Sequence, residues 1–321
     1  MKKLGLILLV LVLAASTLFA QGGSEATAEK KTKIGIAACH YTNSWNVTNT
    51  ESMIKVFEEA GYEVVWNEAK NDTATQVANV NDLIAQGVDW IVMKPKEEQG
   101  LLPAIEACKQ AGVKVILIDR TVAAEAGVDF VCGIRTNAYL GGQQVANWIV
   151  ENYPDGCNYI EVQGSAGSTT SIERSSGLHS VLDSYGDKYT CLDTQPTDFS
   201  RAQGQKVTEN MYQAYGKKID VVVTQSDELC FGVLQALDSV GAVPGQDVKV
   251  CTIGDGASAL LDEIIAGRVA CCSECTPYLG DVVLEAIKTV EAGGTPDPNT
   301  WANDRFFTIE NAAEEKAKAT W

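Results

Sequence analysis

The stretch "VKVILIDRTV" (residues 113–122) joins an apolar run to two adjacent opposite charges. Residues 113–118 are rich in Val, Ile and Leu, as expected of a strand buried inside a parallel sheet. Asp119 and Arg120 follow at once, although a charged side chain is costly to bury without a partner. The pair therefore marks the end of a buried strand, where a protein group or a ligand must meet both charges.

The sequence around this stretch alternates apolar runs with amphipathic segments. The first half has strand-like segments at 33–38, 62–67, 89–95 and 113–119, with helical spacing over 48–60, 74–86 and 99–111. The second half has strand-like segments at 158–164, 189–195, 220–225 and 248–254, with helices near 169–184, 201–214, 228–240 and 257–266. This alternation predicts parallel sheets that carry helices on both faces.

The two halves also resemble each other. "GVDWIVMKP", a helix and "AGVKVILIDR" are echoed by "KIDVVVTQSDE", a helix and "VGAVPGQDVKVCTIGDG". Two similar halves predict two lobes rather than one long sheet. Ligands of open parallel sheets bind beyond the carboxyl ends of the strands. Asp119 and Arg120 in one lobe and Asp255 in the other would thus face one cleft.

Composition bounds the class of protein. The chain has 321 residues, of which 45% are hydrophobic, and this length favours about two domains. Its formal charge of −17 argues against nucleic acid or an anionic membrane as a partner, because both attract basic surfaces.

Residues 1–20 are typical of a secretory signal peptide. Lys2 and Lys3 precede an apolar run that ends near the small Ala20, although Leu18 leaves the cleavage point open. Residues 21–32 are polar and predict a flexible leader. No cysteine lies near the cleavage point, so no lipid anchor is expected, and the protein is predicted to be periplasmic.

The ten cysteines lie mostly in apolar runs, where a thiol behaves as a small hydrophobe. Cys272 and Cys275 form a C-x-x-C, for which a disulfide stays open. Zinc needs further ligands, and His40 and His179 have no paired spacing, so neither a metal nor another cofactor is expected.

Eight stretches in a fixed order carry a family resemblance. They are "AACHYTNSWN" (37–46), "NVNDLIAQGVDWIVMKP" (79–95), "VILIDR" (115–120), "YLGGQQVA" (139–146), "VQGSAGSTTSIERSSGL" (162–178), "TQPTDFSRAQG" (194–204), "VVVTQSDELCFGVLQAL" (221–237) and "IGDGASAL" (253–260). With these stretches the chain resembles the periplasmic sugar-binding proteins of the ribose/galactose type, which are type I solute-binding proteins of ABC importers.

The resemblance implies an α/β fold of two Rossmann-like doubly wound lobes joined by a three-crossover hinge. It implies an N-terminal lobe of 33–136 plus 275–303 and a C-terminal lobe of 137–274 plus 304–321. Hinge segments are expected near 135–138, 272–276 and 302–305. The implied partners are a sugar or polyol and an ABC permease in the inner membrane, and a monomer is expected.

The family's ligand contacts can be carried onto this chain position by position. The implied ligand-binding residues are Cys39, Asn43, Trp45, Asp119, Arg120, Thr136, Arg174, Phe199, Ser226, Asp255 and Glu274. Ser226 stands where ribose binders have Asn, and Glu274 where Gln is usual. These departures argue against simple ribose as the ligand.

The side-chain chemistry independently favours a neutral polyhydroxylated ligand. Carboxylates accept and guanidiniums donate, so together they satisfy hydroxyls in both directions, and aromatic faces can cover the C–H faces of a sugar ring. The charges of the candidate residues roughly balance, which disfavours a strongly charged ligand. The acidic residues are Asp119, Asp255 and Glu274, and the basic ones are Arg120, Arg174 and, as a further candidate, Arg135.

Each candidate also has a structural alternative. Asp119 and Arg120 would serve as a strand-end salt bridge. Trp45 and Phe199 would be core packing. Arg174 would lie on the surface and Glu274 would point to solvent.

Other classes of protein fit the sequence less well. It contains no nucleophile elbow, phosphate loop or dinucleotide fingerprint, so an enzyme is not expected. A sugar-responsive transcription regulator is disfavoured by the signal peptide and by the lack of a basic helix-turn-helix segment. A receptor that docks on a chemosensor or sensor kinase remains an open alternative to transport.

Overall fold

A computed structural model of the chain describes residues 31–302 and 304–318. The predicted signal peptide and residues 21–30 of the predicted leader lie outside this range, as do Asn303 in the third predicted hinge segment and residues 319–321. Within the described ranges, no helix is both long enough and apolar enough to cross a membrane.

The first sheet has six strands in the spatial order β11–β5–β4–β3–β1–β2, all parallel. Its strands are β1 (Lys33–Ala38), β2 (Glu63–Glu68), β3 (Trp90–Met93), β4 (Lys114–Ile118), β5 (Cys132–Arg135) and β11 (Asn299–Trp301). The second sheet has the order β12–β10–β9–β8–β6–β7, with β12 alone antiparallel to its neighbour. Its strands are β6 (Cys157–Ser165), β7 (Tyr189–Thr197), β8 (Val221–Thr224), β9 (Lys249–Ile253), β10 (Cys271–Ser273) and β12 (Phe306–Thr308).

Ten α-helices cover the two sheets in the described part of the chain. They are α1 (Ser44–Glu59), α2 (Thr73–Ala85), α3 (Leu102–Ala111), α4 (Ala138–Asn152), α5 (Thr169–Leu182), α6 (Arg201–Tyr215), α7 (Asp227–Ser239), α8 (Ser258–Ile265), α9 (Gly280–Glu291) and α10 (Ala312–Lys318). Short 3-10 turns follow α5 and α6 at Asp183–Lys188 and Gly216–Lys218. Separate apolar cores lie on the two faces of each sheet.

The same strand order in both sheets places the site. In each sheet the chain starts on an inner strand, adds a neighbour on one side and then continues on the other side. The order reverses between β1 and β3 in the first sheet and between β6 and β8 in the second. Ligands of doubly wound sheets bind at such a reversal, beyond the carboxyl ends of the strands.

The fold is the predicted pair of doubly wound lobes. We call the two lobes the first lobe, built on the first sheet, and the second lobe, built on the second. The eight predicted strands and seven predicted helices are present, with ends that differ by at most four residues. The helices α4 and α9 were not identified from sequence. Several short strands, among them β5, β11 and β12, were also not identified, because each has only three or four residues and no clear periodicity.

The chain crosses between the lobes three times, after β5, after β10 and after β11. Hydrogen bonds tie these crossings together. The Asp304 carboxylate accepts from the backbone N–H of Thr276 at 3.1 Å and from that of Asn137. Glu274 and Arg305 form a two-pronged ion pair, with N–O distances of 2.5 and 2.8 Å. The exact lobe boundaries and the role of these segments as hinges stay predictions.

Candidate functional site

A cavity lies between the carboxyl ends of the two sheets. Eight of the eleven predicted ligand-binding residues line it, and they are Asn43, Trp45, Asp119, Arg120, Arg174, Phe199, Ser226 and Asp255. Five further residues also line it, namely His40, Asn46, Lys94, Thr170 and Cys275. The cavity volume is about 30 Å³, close to the room that one water needs. A sugar ring therefore enters only when side chains or lobes move apart.

Three predicted residues do not line the cavity. Glu274 is buried, and its carboxylate is held by the guanidinium and the backbone N–H of Arg305. The structure thus places Glu274 in an ion pair between two lobe crossings, neither at the ligand cavity nor pointing to solvent. Cys39 and Thr136 are buried and lie directly after β1 and β5.

The first-lobe wall of the cavity is an ion cluster. Asp119 lies directly after β4, and its Oδ2 is 3.2 Å from Lys94 Nζ and 3.5 Å from Arg120 Nε. Lys94 follows β3, so the two side chains leave neighbouring strands at the same sheet edge. Arg120 also donates from Nη1 to the backbone carbonyl of Lys96 at 3.0 Å. The "LIDR" pair is thus a strand-end ion pair and a cavity wall at once.

The charge on Asp119 is maintained by its neighbours. Burial alone raises the pKa of this carboxyl, but the nearby cations Lys94, Arg120 and Arg174 outweigh it and hold the pKa below its usual value. The residue also adopts a left-handed backbone conformation, with φ of 60°. Asp tolerates that conformation better than most side chains, and it turns the chain sharply at the cavity.

Lys94 was missed in the sequence analysis, although a signal was present. It ends the buried run in "WIVMKP" just as Asp119 ends the run in "VILID". The rule that places Asp119 at the mouth of the sheet therefore applies equally to Lys94. β3 also borders the point where the strand order reverses, so the ammonium lies where that topology predicts a ligand.

A polar chain links the start of α1 to Lys94. The Asn43 side chain caps the helix by accepting from the Asn46 backbone N–H at 3.0 Å. Asn46 Oδ1 accepts from Lys94 Nζ, while its Nδ2 contacts His40 Nε2 at 3.3 Å. His40 Nε2 must then be the acceptor, which leaves the proton on Nδ1 facing the Thr42 hydroxyl at 3.1 Å.

His40 is accordingly neutral. Burial and the positive charges of Lys94 and Arg120 lower its pKa to about 3. His40 therefore adds no charge to the cavity at neutral pH.

Trp45 packs under the ion cluster. Its indole N–H donates to the Cys275 carbonyl at 2.6 Å, and Lys94 Nζ lies 3.9 Å from the ring centroid. The bond to Cys275 joins α1 to the crossing that follows β10. Trp45 therefore both lines the cavity and ties the first lobe to that crossing, so the packing and ligand-facing alternatives are compatible.

The second-lobe wall carries a pair of carboxyl groups. Asp227 Oδ1 accepts from the Asp255 backbone N–H at 2.7 Å, and its Oδ2 accepts from Ala257 N–H at 2.8 Å. Asp255 Oδ2 accepts from the Asp227 backbone N–H at 3.3 Å. Burial raises the pKa of Asp227 to about 6, and burial together with repulsion from Asp227 raises that of Asp255 well above its usual value.

Arg174 projects into the cavity from α5 and is 3% exposed, so it is not a surface residue. Its Nη1 donates to the Gln225 carbonyl at 2.5 Å. Gln225 is itself held by Gly164 N–H, Ser171 and Glu161, so the guanidinium rests on a connected polar support. In the described part of the chain, the Nε–H groups of Arg120 and Arg174 are buried without a hydrogen-bond partner.

Phe199 closes the cavity from the second lobe. Its φ is 67°, its ring lies 5.8 Å from the Arg120 guanidinium carbon, and it packs against Gly164. A β-carbon at Gly164 would overlap the far edge of this ring. Glycine is therefore needed at 164 to let the aromatic lie flat against the end of β6.

Contacts between the lobes surround the cavity. The Thr170 hydroxyl donates to the Asp119 carbonyl at 3.2 Å, and Thr121 N–H donates to the Thr169 hydroxyl at 3.4 Å. Arg135 at the end of β5 pairs with Glu173 of α5 at 2.9 Å. Arg135 is thus satisfied across the lobes and does not line the cavity.

These positions change the charge balance expected from sequence. Glu274 and Arg135 are paired outside the cavity, while Lys94 lies inside it. The cavity therefore holds three cationic side chains and two carboxyl groups, of which Asp255 has a raised pKa.

All ten cysteines lie in the described ranges and have free thiols, including Cys272 and Cys275. Burial raises the pKa of both of these thiols well above the usual value, so they are poor nucleophiles and poor redox centres. Within the described residues, no cluster of three His, Cys, Asp or Glu side chains is placed to hold a metal ion.

The chain is similar to known proteins over most of its length. A protein-family model described as a periplasmic binding protein domain matches residues 34–295. The galactofuranose-binding protein of Escherichia coli (strain K12) is 25% identical over 289 residues, which are 89% of this chain and 90% of that protein. The ribose import binding protein of Bacillus subtilis (strain 168) is 30% identical over 268 residues, which are 83% of each.

A solved structure shares the fold. It is the periplasmic binding protein component of the arabinose ABC transporter from Shewanella sp. ANA-3, bound to alpha and beta-L-arabinofuranose. It aligns with a TM-score of 0.85 at 27% identity, covering 89% of this chain and 95% of that one. The similarity thus extends over both lobes.

Proposed function

The chain belongs to the periplasmic binding protein domain family, and from this premise we propose that it is an extracytoplasmic solute-binding protein for a sugar or polyol. It captures its ligand by lobe closure and delivers it to an ABC permease in the inner membrane. The names of its relatives, which include a ribose import binding protein, support transport over a role in chemosensing or kinase signalling.

One observation carries this proposal. Side chains from both lobes converge on a single cavity at the carboxyl ends of two equivalent sheets. A ligand placed there touches both lobes, and it can stabilise the closed arrangement only through such contacts. The eight predicted residues that line the cavity are therefore proposed as ligand contacts.

The lining suits a ligand rich in hydroxyls. Arg120, Arg174 and Lys94 donate hydrogen bonds, Asp119 accepts them, and a hydroxyl can meet either kind of group. Trp45 and Phe199 supply apolar ring faces for the C–H side of a sugar. Charge-assisted bonds of roughly 1.5–3 kcal/mol each are enough for micromolar affinity after the cost of association.

Four further properties belong to the proposal. The chain is a binding protein rather than an enzyme, as its relatives are, and it works as a monomer. It acts in the periplasm, to which residues 1–20 direct it. The open form is less compact than the closed one, with the bending at 135–138, 272–276 and 302–305.

A ligand screen tests the proposal. Sugars, polyols, amino acids, peptides and metal salts are compared by thermal shift, since a ligand at 100 times its Kd stabilises the fold by about 2.7 kcal/mol. Calorimetric titration of the best hit into Arg174→Ala should then show at least ten-fold weaker binding, because a buried donor is lost. Arg268→Ala, at an exposed pair in the same lobe, is the matched control.

The outcomes are distinct. Stabilisation by amino acids, peptides or metals alone would contradict the proposed ligand class. X-ray scattering with the hit should give a smaller radius of gyration than without it, and an unchanged radius at saturation would contradict lobe closure.

A further inference from the structure

The side chains around the cavity do not balance in charge. Lys94, Arg120 and Arg174 are 6, 4 and 3% exposed, so each cation is held away from bulk water. Asp119 faces them with one negative charge. A buried charge without compensation is costly, so the net charge of the side chains around the cavity determines which ligand charge it can bind.

The second-lobe wall supplies only one more negative charge near neutral pH. Asp227 and Asp255 are buried side by side and interlocked through their backbone N–H groups. Two carboxylates this close do not both ionise readily, and burial raises the pKa of both carboxyl groups. Three cations thus face two negative charges, and His40 is neutral.

Three other acids lie near the cavity without lining it. Asp304 accepts from the backbone N–H groups of Thr276 and Asn137, and burial raises its pKa to about 7. Glu274 is bound by Arg305, and Glu173 is bound by Arg135, so neither compensates the cavity. The side chains around the cavity therefore carry one positive charge in excess of their negative charges in the closed form.

Two donors in the same cavity also lack acceptors. The Nε–H of Arg120 lies 3.5 Å from Asp119 Oδ2 without a hydrogen-bond geometry, and the Nε–H of Arg174 has no partner in the described structure. A guanidinium N–H can only donate, so both need an acceptor from outside the protein. A carboxylate has two acceptor oxygens and pairs well with Arg.

We infer that the ligand is a sugar or polyol that carries one carboxylate, as a uronic or aldonic acid does, and that Lys94 determines this specificity. This inference rests on the proposed function. One carboxylate matches the excess of one positive charge, whereas a phosphate ester carries nearly two negative charges and overcompensates it.

Lys94 is placed to make this choice. Its ammonium bonds Asn46 Oδ1, lies 3.2 Å from Asp119 Oδ2 and has three protons, so one donor is left for a ligand. The Trp45 ring and the Asn46 side chain fix its position. Without Lys94, the two Arg and the two negative charges balance, and the cavity then suits a neutral sugar.

Matched pairs of ligands test the inference. The pairs are D-glucose with D-glucuronate, D-galactose with D-galacturonate and D-glucitol with D-gluconate, each titrated calorimetrically at pH 7.5 and one ionic strength. D-Glucose 6-phosphate is the phosphate arm. For at least one pair the wild-type protein should bind the acid about ten- to a hundred-fold more tightly than its neutral partner. Lys94→Met should weaken binding of the acid far more than binding of its neutral partner, so that most of that preference is lost.

Controls separate the possible failures. Lys55→Met removes an exposed Lys from α1 in the same lobe and should leave the preference unchanged. Lys94→Gln keeps a donor and tests whether charge or hydrogen bonding matters if Lys94→Met unfolds. Tighter binding of neutral sugars, or of the phosphate, overturns the inference but leaves the proposed function standing. If the protein binds none of these compounds and no compound in the wider screen, both the inference and the proposed function are contradicted.

Discussion

Asp119 and Asp255 occupy equivalent positions in the two lobes, but the pKa of Asp119 is lowered and that of Asp255 is raised. Each follows the third strand in the spatial order of its sheet, β4 in the first sheet and β9 in the second. Both are buried, and burial raises the pKa of either carboxyl. Three nearby cations reverse the effect at Asp119, whereas the Asp227 carboxyl reinforces it at Asp255. Equivalent positions in the fold therefore do not fix the protonation state of a residue, which depends on the charges of its neighbours.

The two walls of the cavity differ in charge and in what stabilises them. The first-lobe wall is a charged cluster held together by Asp119, and the second-lobe wall is a pair of carboxyl groups with one negative charge between them, beside Phe199 and Arg174. The first wall therefore depends on its carboxylate for stability. The second is expected to be more stable without one of its two carboxyl groups.

The strongest test is Asp119→Asn. Asn tolerates the left-handed backbone at this position, so the variant removes the charge without straining the chain. Lys94 and Arg120 then lose their counter-ion, and breaking a buried pair in this way costs about 3–5 kcal/mol. Urea denaturation without ligand should show that loss at pH 7. A variant as stable as the wild type would mean that the cluster is solvated rather than held by Asp119.

The second test is Asp255→Asn across pH. A carboxyl with a raised pKa is protonated in the folded chain but ionised in the unfolded chain above pH 4, so folded stability falls as pH rises through this window. Burial raises the pKa of Asp227 to about 6, so the contribution of that carboxyl to this window ends near pH 6, and the pKa of Asp255 is raised well above its usual value. Asn keeps the hydrogen bond and removes the repulsion.

The unfolding free energy of this variant, relative to the wild type, should therefore rise by about 1–3 kcal/mol from pH 4 to pH 7. Denaturation at several pH values in one buffer series measures it. The effects of His40 and of the other groups cancel in the difference. A difference that does not change with pH would contradict the coupled pair.

Gly164→Ala tests the aromatic part of the second wall. The new methyl group would displace the far edge of the Phe199 ring, which can swing away at little cost in stability. Ligand affinity should fall about ten-fold, or 1.4 kcal/mol, because the ring no longer covers the ligand. Calorimetric titration measures the loss. Gly133→Ala, whose added β-carbon meets ordinary contact distances, should leave affinity unchanged.

Glu173→Gln is expected to have the smallest effect. The pair with Arg135 links the lobes but is partly exposed, and such pairs contribute about 0.2–1 kcal/mol. Because the contact is lost when the lobes part, its removal should weaken ligand binding by about 1.5- to 5-fold. Calorimetric titration of the ligand at low and high salt measures this loss of affinity. A larger loss of affinity at high salt would contradict the assignment to a screened ion pair.

Much of the architecture followed from local pattern. Buried strands such as 113–118 and helices such as 227–239 have periodicities that depend on the chain alone, so the alternation of elements and the two-lobe fold were predicted from sequence. β11 and β12 were missed because short edge strands are held by pairing with distant neighbours, and the four-residue β5 was missed because it has no clear periodicity. Asp119, Arg120 and Asp255 were also predicted from local pattern, because each follows directly or closely on an apolar run that predicts a buried strand.

What only the tertiary structure decided is which charges share a site. The sequence determined that polar side chains follow buried strands, and parallel topology places all such ends at one edge. It did not determine that Arg305 would take Glu274, or that Lys94 would lie beside Asp119. Those partners are far apart in sequence and meet only when strands and crossings pack. Since the energy of a charge depends on distance and burial, net charge and pKa at this cavity are properties of the folded chain.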